Sequence, residues 1–254
     1  MAAAVSLRDL VIVCGHAPFG AGTVAVPADP GRDEGWVLQS FQRGEPPQYV
    51  EHIRRGVELA RGNGEALLVF SGGFTRAEAG ARWSEAATYR AIAAHFGWWT
   101  APGERAGLAA RAVEEDFSRD SFENLLFSLG RFQQVTGGYP RRVTVVSWGF
   151  KAGRFDRHRA AVGFPAERFD FVGSGEPAGL AAALAGEAAA ARAWAEDRYG
   201  STGALARKRA ERNPLGRAHP FATCPGLGEF FAFMANPGNA AREYGGPLPW
   251  REGG

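Results

Sequence analysis

Leu67-Leu68-Val69-Phe70-Ser71-Gly72-Gly73-Phe74-Thr75-Arg76 is a run of apolar residues closed by a hydroxyl and two glycines. Such a run reads as a buried strand feeding a tight turn. Beyond it, Ser84-Glu85 opens a stretch whose apolar positions, Ala86, Tyr89, Ile92, Ala93 and Phe96, recur every three or four residues. That is the spacing of one helix face, and Ser84 suits its N-cap.

The same strand–turn–helix unit recurs on either side. Leu10-Val11-Ile12-Val13-Cys14 precedes a helical pattern over 49–61 with Val50, Ile53 and Val57. Val143-Thr144-Val145-Val146-Ser147 precedes Phe150-Lys151, Arg154-Phe155 and His158. A further apolar run lies at 169–172, and a weaker one at Ala112-Val113-Glu114 precedes a helix over 121–135 carrying Phe122, Leu125, Leu126, Leu129 and Phe132. Strands alternating with helices of this length imply right-handed crossovers and a mostly parallel sheet, buried on both faces. The expected fold is α/β, a three-layer Rossmann-like sandwich.

The expected organisation is one domain over 1–254, with its core at about 8–173 and a C-terminal helix and extension over about 178–254. Residues 20–47 are rich in Gly and Pro, too long for an ordinary connection. Their Trp36 and Phe41, with Tyr49, predict a loop packed down as a lid. The Ala-rich stretch 178–195 is a helix by propensity. The Gly-, Pro- and aromatic-rich remainder has weak periodicity and is expected to wrap the core.

A chain 45% hydrophobic and 22% charged has the composition of a folded globular protein. Its formal charge of +2 gives no general pull toward nucleic acid or membrane. Cys14 and Cys224 stand in no metal or redox spacing, which points to a reducing, cytoplasmic setting with Cys14 in the core. The apolar run at 10–14 is too short to span a bilayer. No metal is expected, because no Cys/His pattern has ligand spacing. Oligomeric state is left open.

In open α/β sheets, ligands bind outside the carboxyl ends of the strands. Three polar clusters fall there. Ser71-Gly72-Gly73, with Thr75 and Arg76, is either an ordinary tight turn or a turn whose backbone amides cradle a polar ligand. It has neither the P-loop nor the dinucleotide spacing. Glu85 suits a helix N-terminus, and becomes available to a ligand if that helix mouth faces the crevice. Asp120 and Glu123 have capping-box spacing, with Ser121 and Asn124 between and beside them and Glu115 and Asp116 upstream. They either stabilise the helix start or act as acid, base or ribose ligands. After Ser147, Lys151 and Arg154 could hold a phosphate or carboxylate. His158, four residues beyond Arg154, is the first candidate for proton transfer. A second basic group, Lys208-Arg209 with Arg212-Asn213-Pro214, is read as solvated surface.

Together these motifs resemble the DUF218 (YdcF/SanA/ElyC-like) family. The likeness rests on Gly15-His16 after a strand, Ser71-Gly72-Gly73, Ser84-Glu85-Ala86 with Tyr89, and Glu115 with Asp120-Ser121-Phe122-Glu123-Asn124. Trp36, Pro46-Pro47-Gln48-Tyr49, His52 and the Lys208–Pro214 segment are closer to the family's eukaryotic, fungal-type branch. The family's usual Phe-His-x-x-Arg element is replaced by Phe150-Lys151 with Arg154 and His158. The resemblance implies a Rossmann-like fold and a polar pocket at the strand ends, with Gly15 and His16 among its residues. For one bacterial branch it implies binding of S-adenosylmethionine, without established methyl transfer.

The function expected from these readings is that of an enzyme acting on a small polar or nucleotide-like ligand by hydrolysis or group transfer. Glu115, Asp120, Glu123 and His158 would do the chemistry. Ser71, Gly72, Gly73, Glu85, Ser121, Asn124, Ser147, Lys151 and Arg154 would bind. A non-catalytic small-molecule-binding protein, with S-adenosylmethionine as a candidate ligand, and a structural protein docking a partner through its extension are the alternatives.

Overall fold

A computed structural model describes residues 6–20, 22, 23, 25–99, 107–177 and 179–251. Five strands, β1 (Asp9–Cys14), β2 (Ala66–Ser71), β3 (Ala112–Glu115), β4 (Arg142–Ser147) and β5 (Phe169–Gly173), form one sheet in the order β3-β2-β1-β4-β5. All four pairings are parallel. The expected α/β sandwich is the observed architecture.

Helices cover both faces. α1 (Pro46–Gly62) and α2 (Glu85–His95) pack on one, where Val13, Leu68 and Phe70 meet Tyr49, Ile53, Tyr89 and Ile92. α3 (Ser121–Thr136) and α4 (Ala152–Ala161) pack on the other, where Ile12, Val69 and Val145 meet Phe122, Leu126, Leu129 and Phe155. Alternate residues of one strand therefore enter separate cores, as the period of a strand requires. β1 and β2 are buried throughout. β5 is not: it is an edge strand, partly exposed along its length, which corrects its reading as fully covered.

The chain walks outward from β1 to β3, then returns to start again at β4 on the other side of β1. The gap between the carboxyl ends of β1 and β4 is thus a topological switch point, where this class of sheet opens a crevice.

Three further helices follow: α5 (Leu180–Glu196), α6 (Gly203–Glu211) and α7 (Gly228–Ala235). The expected start of the Ala-rich helix, residue 178, lies outside the described residues. Phe221, Leu227, Phe230, Leu248 and Trp250 join the buried cluster of the α3/α4 face, so the extension wraps the core. In the long loop, Trp36 is buried, lies 4.7 Å from the Phe19 ring and donates from Nε1 to the Pro30 carbonyl at 3.0 Å. Phe41, expected to pack down with it, is instead 64% exposed.

Candidate active site at the strand ends

A cavity of about 560 Å³ opens at the switch point. Its floor is the end of β1 and β4: Cys14, Gly15, His16, Ser147 and Trp148. The starts of α2, α3 and α4 supply Glu85, Asp120, Ser121, Asn124, Lys151 and Arg154. Gln39, Phe41, Gln42 and Glu45 close one side. α5 roofs it with Ala182, Ala183, Gly186, Glu187, Ala190 and Trp194, which recur every three or four residues on one helix face. A face built largely of Ala and Gly leaves the volume that larger side chains would fill. α6 adds Leu205 and Lys208, and Arg212 follows it.

Nine of the expected site residues line this cavity: Gly15, His16, Glu85, Asp120, Ser121, Asn124, Ser147, Lys151 and Arg154. Thr75 and Arg76 line an adjoining one. Ser71, Gly72, Gly73, Glu115, Glu123 and His158 line neither.

The Ser71-Gly72-Gly73 turn serves the fold beneath the site. Its amides are consumed within the protein: Gly72 donates to the Glu115 carbonyl at 2.9 Å and Gly73 to the Ser118 carbonyl at 2.8 Å. The glycines are required by close approach. A Cβ on Gly73 would lie 2.7 Å from the Ser118 carbonyl oxygen, and one on Gly72 or Gly15 would strike the Glu85 side chain at 2.6 or 2.5 Å. The turn therefore meets the 116–118 backbone and the start of α2 rather than a ligand.

Glu115 belongs to the same support. It accepts from Ser71 Oγ at 2.6 Å and from the amides of Phe117 and Ser118 at 2.8 and 3.0 Å. Burial pushes its carboxyl up to about 7 against these bonds. Asn124 Nδ2 donates to Ser71 Oγ at 2.8 Å and Ser118 Oγ at 2.9 Å, tying α3 to the ends of β2 and β3.

Asp120 is the N-cap of α3 and accepts from Phe122 and Glu123 amides, both at 3.0 Å. The capping box is incomplete: the Glu123 carboxylate reaches back to the Arg119 amide, at 2.9 Å, rather than to that of Asp120. Both acids are then clamped by Arg209, whose Nε lies 2.6 Å from Asp120 Oδ2 and 3.3 Å from Glu123 Oε1. Arg209 also donates to the carbonyls of Tyr199 and Gly200 at 2.6 and 3.0 Å. Burial would raise the Asp120 carboxyl, but Arg209 and the cap amides hold it well below the usual range. Reading Arg209 as solvated surface is thus corrected, whereas Lys208 is exposed as that reading had it. Arg209 is a buried staple, and it carries Lys208 and Arg212 to the cavity. Their i, i+4 spacing, which sets them on one helix face, was the available signal.

His158 sits behind the wall. Its Nε2 is 2.8 Å from Ser121 Oγ, and its ring meets that of Trp194 edge-on at 4.5 Å. Burial, with Arg154 and Arg209 nearby, brings its pKa down to about 3. It can act on a ligand only through Ser121.

The charges facing the cavity sort into paired and unpaired. Arg154 holds Glu187 through two bonds, with Nε–Oε1 at 2.9 Å. Asp120 is taken by Arg209, and Arg119 by Glu123. Glu45 accepts from Tyr49 Oη at 2.6 Å and Glu85 from Thr75 Oγ1, and burial pushes both carboxyls up. Among the described residues Lys151, Lys208 and Arg212 have no ion-pair partner, although Arg212 donates to the Arg119 carbonyl at 2.7 Å. Burial and Arg154 lower Lys151 to about 7, while Lys208 lines the same cavity from an exposed position. Two further polar atoms of the floor, His16 Nε2 and Ser147 Oγ, are buried without a hydrogen-bond partner. Among the described residues no group of three His, Cys, Asp or Glu could hold a metal ion, and no helix is long and apolar enough to cross a membrane.

Fold and site together define a parallel α/β protein with a cation-lined cavity at its switch point. The chain is similar to an uncharacterized protein of Saccharomyces cerevisiae, YOR238W, at 29% identity over 120 residues. The match takes in 42% of this chain and 40% of the yeast protein, under half of its length. No family model matches the chain, and no solved structure matches it.

Proposed function

We propose that the protein binds a small nucleotide-like ligand with an anionic end in this cavity and acts on it by hydrolysis or group transfer. The observation that carries this reading is the convergence on one cavity of three cations, Lys151, Lys208 and Arg212, that have no ion-pair partner among the described residues. Cations gathered in a partly dry pocket repel one another, and an anionic group among them gains charge-assisted hydrogen bonds. Trp148, Phe150 and Phe41 offer flat apolar surfaces to a ring. Ser121 supplies a hydroxyl in hydrogen-bond reach of a ring nitrogen, the arrangement of an activated nucleophile. Burial holds His158 neutral but also makes it a weak base, and a bound anion would raise its ability to take that proton. S-adenosylmethionine is the comparison ligand: its carboxylate suits the same cations, whereas its sulfonium is repelled by them.

The test is calorimetry of the full chain with a panel of nucleoside 5′-monophosphates, the matching nucleosides and S-adenosylmethionine. Chromatography of each mixture after incubation then follows conversion. Nucleotides are expected to bind at least about tenfold tighter than nucleosides, some 1.4 kcal/mol. Ser121→Ala is expected to keep binding and lose conversion. Equal binding of nucleotide and nucleoside, or preferred binding of S-adenosylmethionine recovered intact, overturns the proposal.

A further inference from the structure

A second cavity, of about 550 Å³, adjoins the first. Thr75, Arg76 and Glu78, from the segment after β2, form one side of it. Lys208, Glu211 and Arg212 form the other. Lys208, Arg212 and Gln39 belong to the walls of both chambers. Cations therefore follow one another through the pair of cavities: Lys151 and Arg154 line the inner, Lys208 and Arg212 line both, and Arg76 lines the outer. The charges feel each other along this row. Burial first, then Arg212, lowers Arg76.

Arg76 is the least satisfied of them. Its Nε is buried without a hydrogen-bond partner, and among the described residues it has no ion pair. The carboxylates of the outer wall, Glu78 and Glu211, are exposed and pair with neither Arg76 nor Arg212. A buried guanidinium N–H left without an acceptor costs free energy that an anion would recover. Lys151 lines only the inner cavity and Arg76 only the outer one.

We infer that the ligand of this site carries two linked phosphoryl groups, as in a nucleoside diphosphate. The first lies against Lys151 and Lys208, and the second against Arg76 and Arg212. This inference rests on the anionic-ligand reading above and narrows its substrate class.

The experiment is calorimetry of the full chain with inorganic phosphate and inorganic pyrophosphate, in metal-free buffer at fixed salt. The proteins are wild type, Arg76→Gln, Arg76→Lys, Lys151→Met and the exposed control Arg55→Gln, each checked for folding by its melting curve. Wild type is expected to bind pyrophosphate at least about tenfold more tightly than phosphate. Arg76→Gln is expected to abolish that preference by weakening pyrophosphate much more than phosphate. Arg76→Lys should restore part of it, Lys151→Met should weaken both anions, and Arg55→Gln should change neither. Equal binding of the two anions, or an undiminished preference in Arg76→Gln, overturns the two-phosphoryl inference while leaving the anion site standing. Absence of binding for both anions, or unaltered binding in Lys151→Met, overturns the anion site itself.

Discussion

Replacing Arg209 by Met should unfold the junction between α6 and the start of α3. The Asp120–Arg209 pair is buried, with side-chain exposures of 7% and 13%, and Glu123 shares the same guanidinium. Methionine keeps much of the apolar stem and deletes the charge, leaving Asp120 buried without its cation while Glu123 keeps Arg119. Breaking one side of such a pair costs about 3–5 kcal/mol. At roughly 2–4 °C per kcal/mol for a chain of this size, the melting temperature should fall by about 6–20 °C. Asp120→Asn keeps an N-cap acceptor, so in the Arg209→Met background it should recover part of the loss. The assay is urea unfolding of both single variants and the double variant, followed by tryptophan fluorescence. Arg142–Asp170, half exposed on both sides, is the internal control, and its removal should cost at most about 1 kcal/mol. A loss at Arg209 no larger than at Arg142, or no coupling between Arg209 and Asp120, refutes the staple. Because Lys208 and Arg212 ride on the same segment, phosphate affinity of the still-folded Arg209→Met protein should fall as well.

Gly73→Val should destabilise by about 1–3 kcal/mol, because its Cβ meets the Ser118 carbonyl oxygen, a backbone atom that cannot swing away; a melting curve equal to wild type would show that the turn has room. Burial lowers His158 to about 3 and His52 to about 4, so these groups withdraw stability as pH drops below about 6.5, whereas Glu115, raised to about 7, adds stability over the same window. His158→Gln should therefore make the melting temperature fall less between about pH 7 and about pH 4.5 than in wild type, and an unchanged pH dependence would contradict the reading. Below about pH 4, protonation of Asp120, which burial would raise but Arg209 holds low, should add a loss of stability, and a melting temperature that stays flat from about pH 4 to about pH 2 would contradict it. Anion binding should take up protons between about pH 7 and about pH 9, because Lys151, lowered to about 7, is drawn back up by a bound negative charge; identical binding heats in buffers of different ionisation enthalpy would rule this out.

The fold was legible because each buried strand announces itself twice, by its apolar run and by the small residues that end it. Position at the sheet edge was not, since β5 looks as apolar in sequence as β4 yet has a single neighbour. Within the site, residues at strand ends and helix starts were found by topology alone, Lys151 and Arg154 among them. Ser71, Gly73 and Glu115 occupy the same kind of position, but their polar groups turn inward to one another, which no spacing reveals. The contribution of α6 was missed because Arg209 finds its partners Asp120 and Glu123 some ninety residues away. Local sequence shows only a run of like charges. The apolar–cationic character of the cavity likewise comes from segments far apart in the chain, Phe41 from the long loop, Trp194 from α5 and Lys208 from α6.

The most direct measurement is the position of a heavy anion in crystals of the full chain soaked in tungstate and recorded at the tungsten edge. The expected result is an anomalous peak inside the switch-point cavity, in contact with Lys151, Lys208 or Arg212, and its loss in Lys151→Met. A peak confined to exposed arginines such as Arg54 or Arg141, with none in the cavity, contradicts an anion site built jointly by the strand ends and the C-terminal extension.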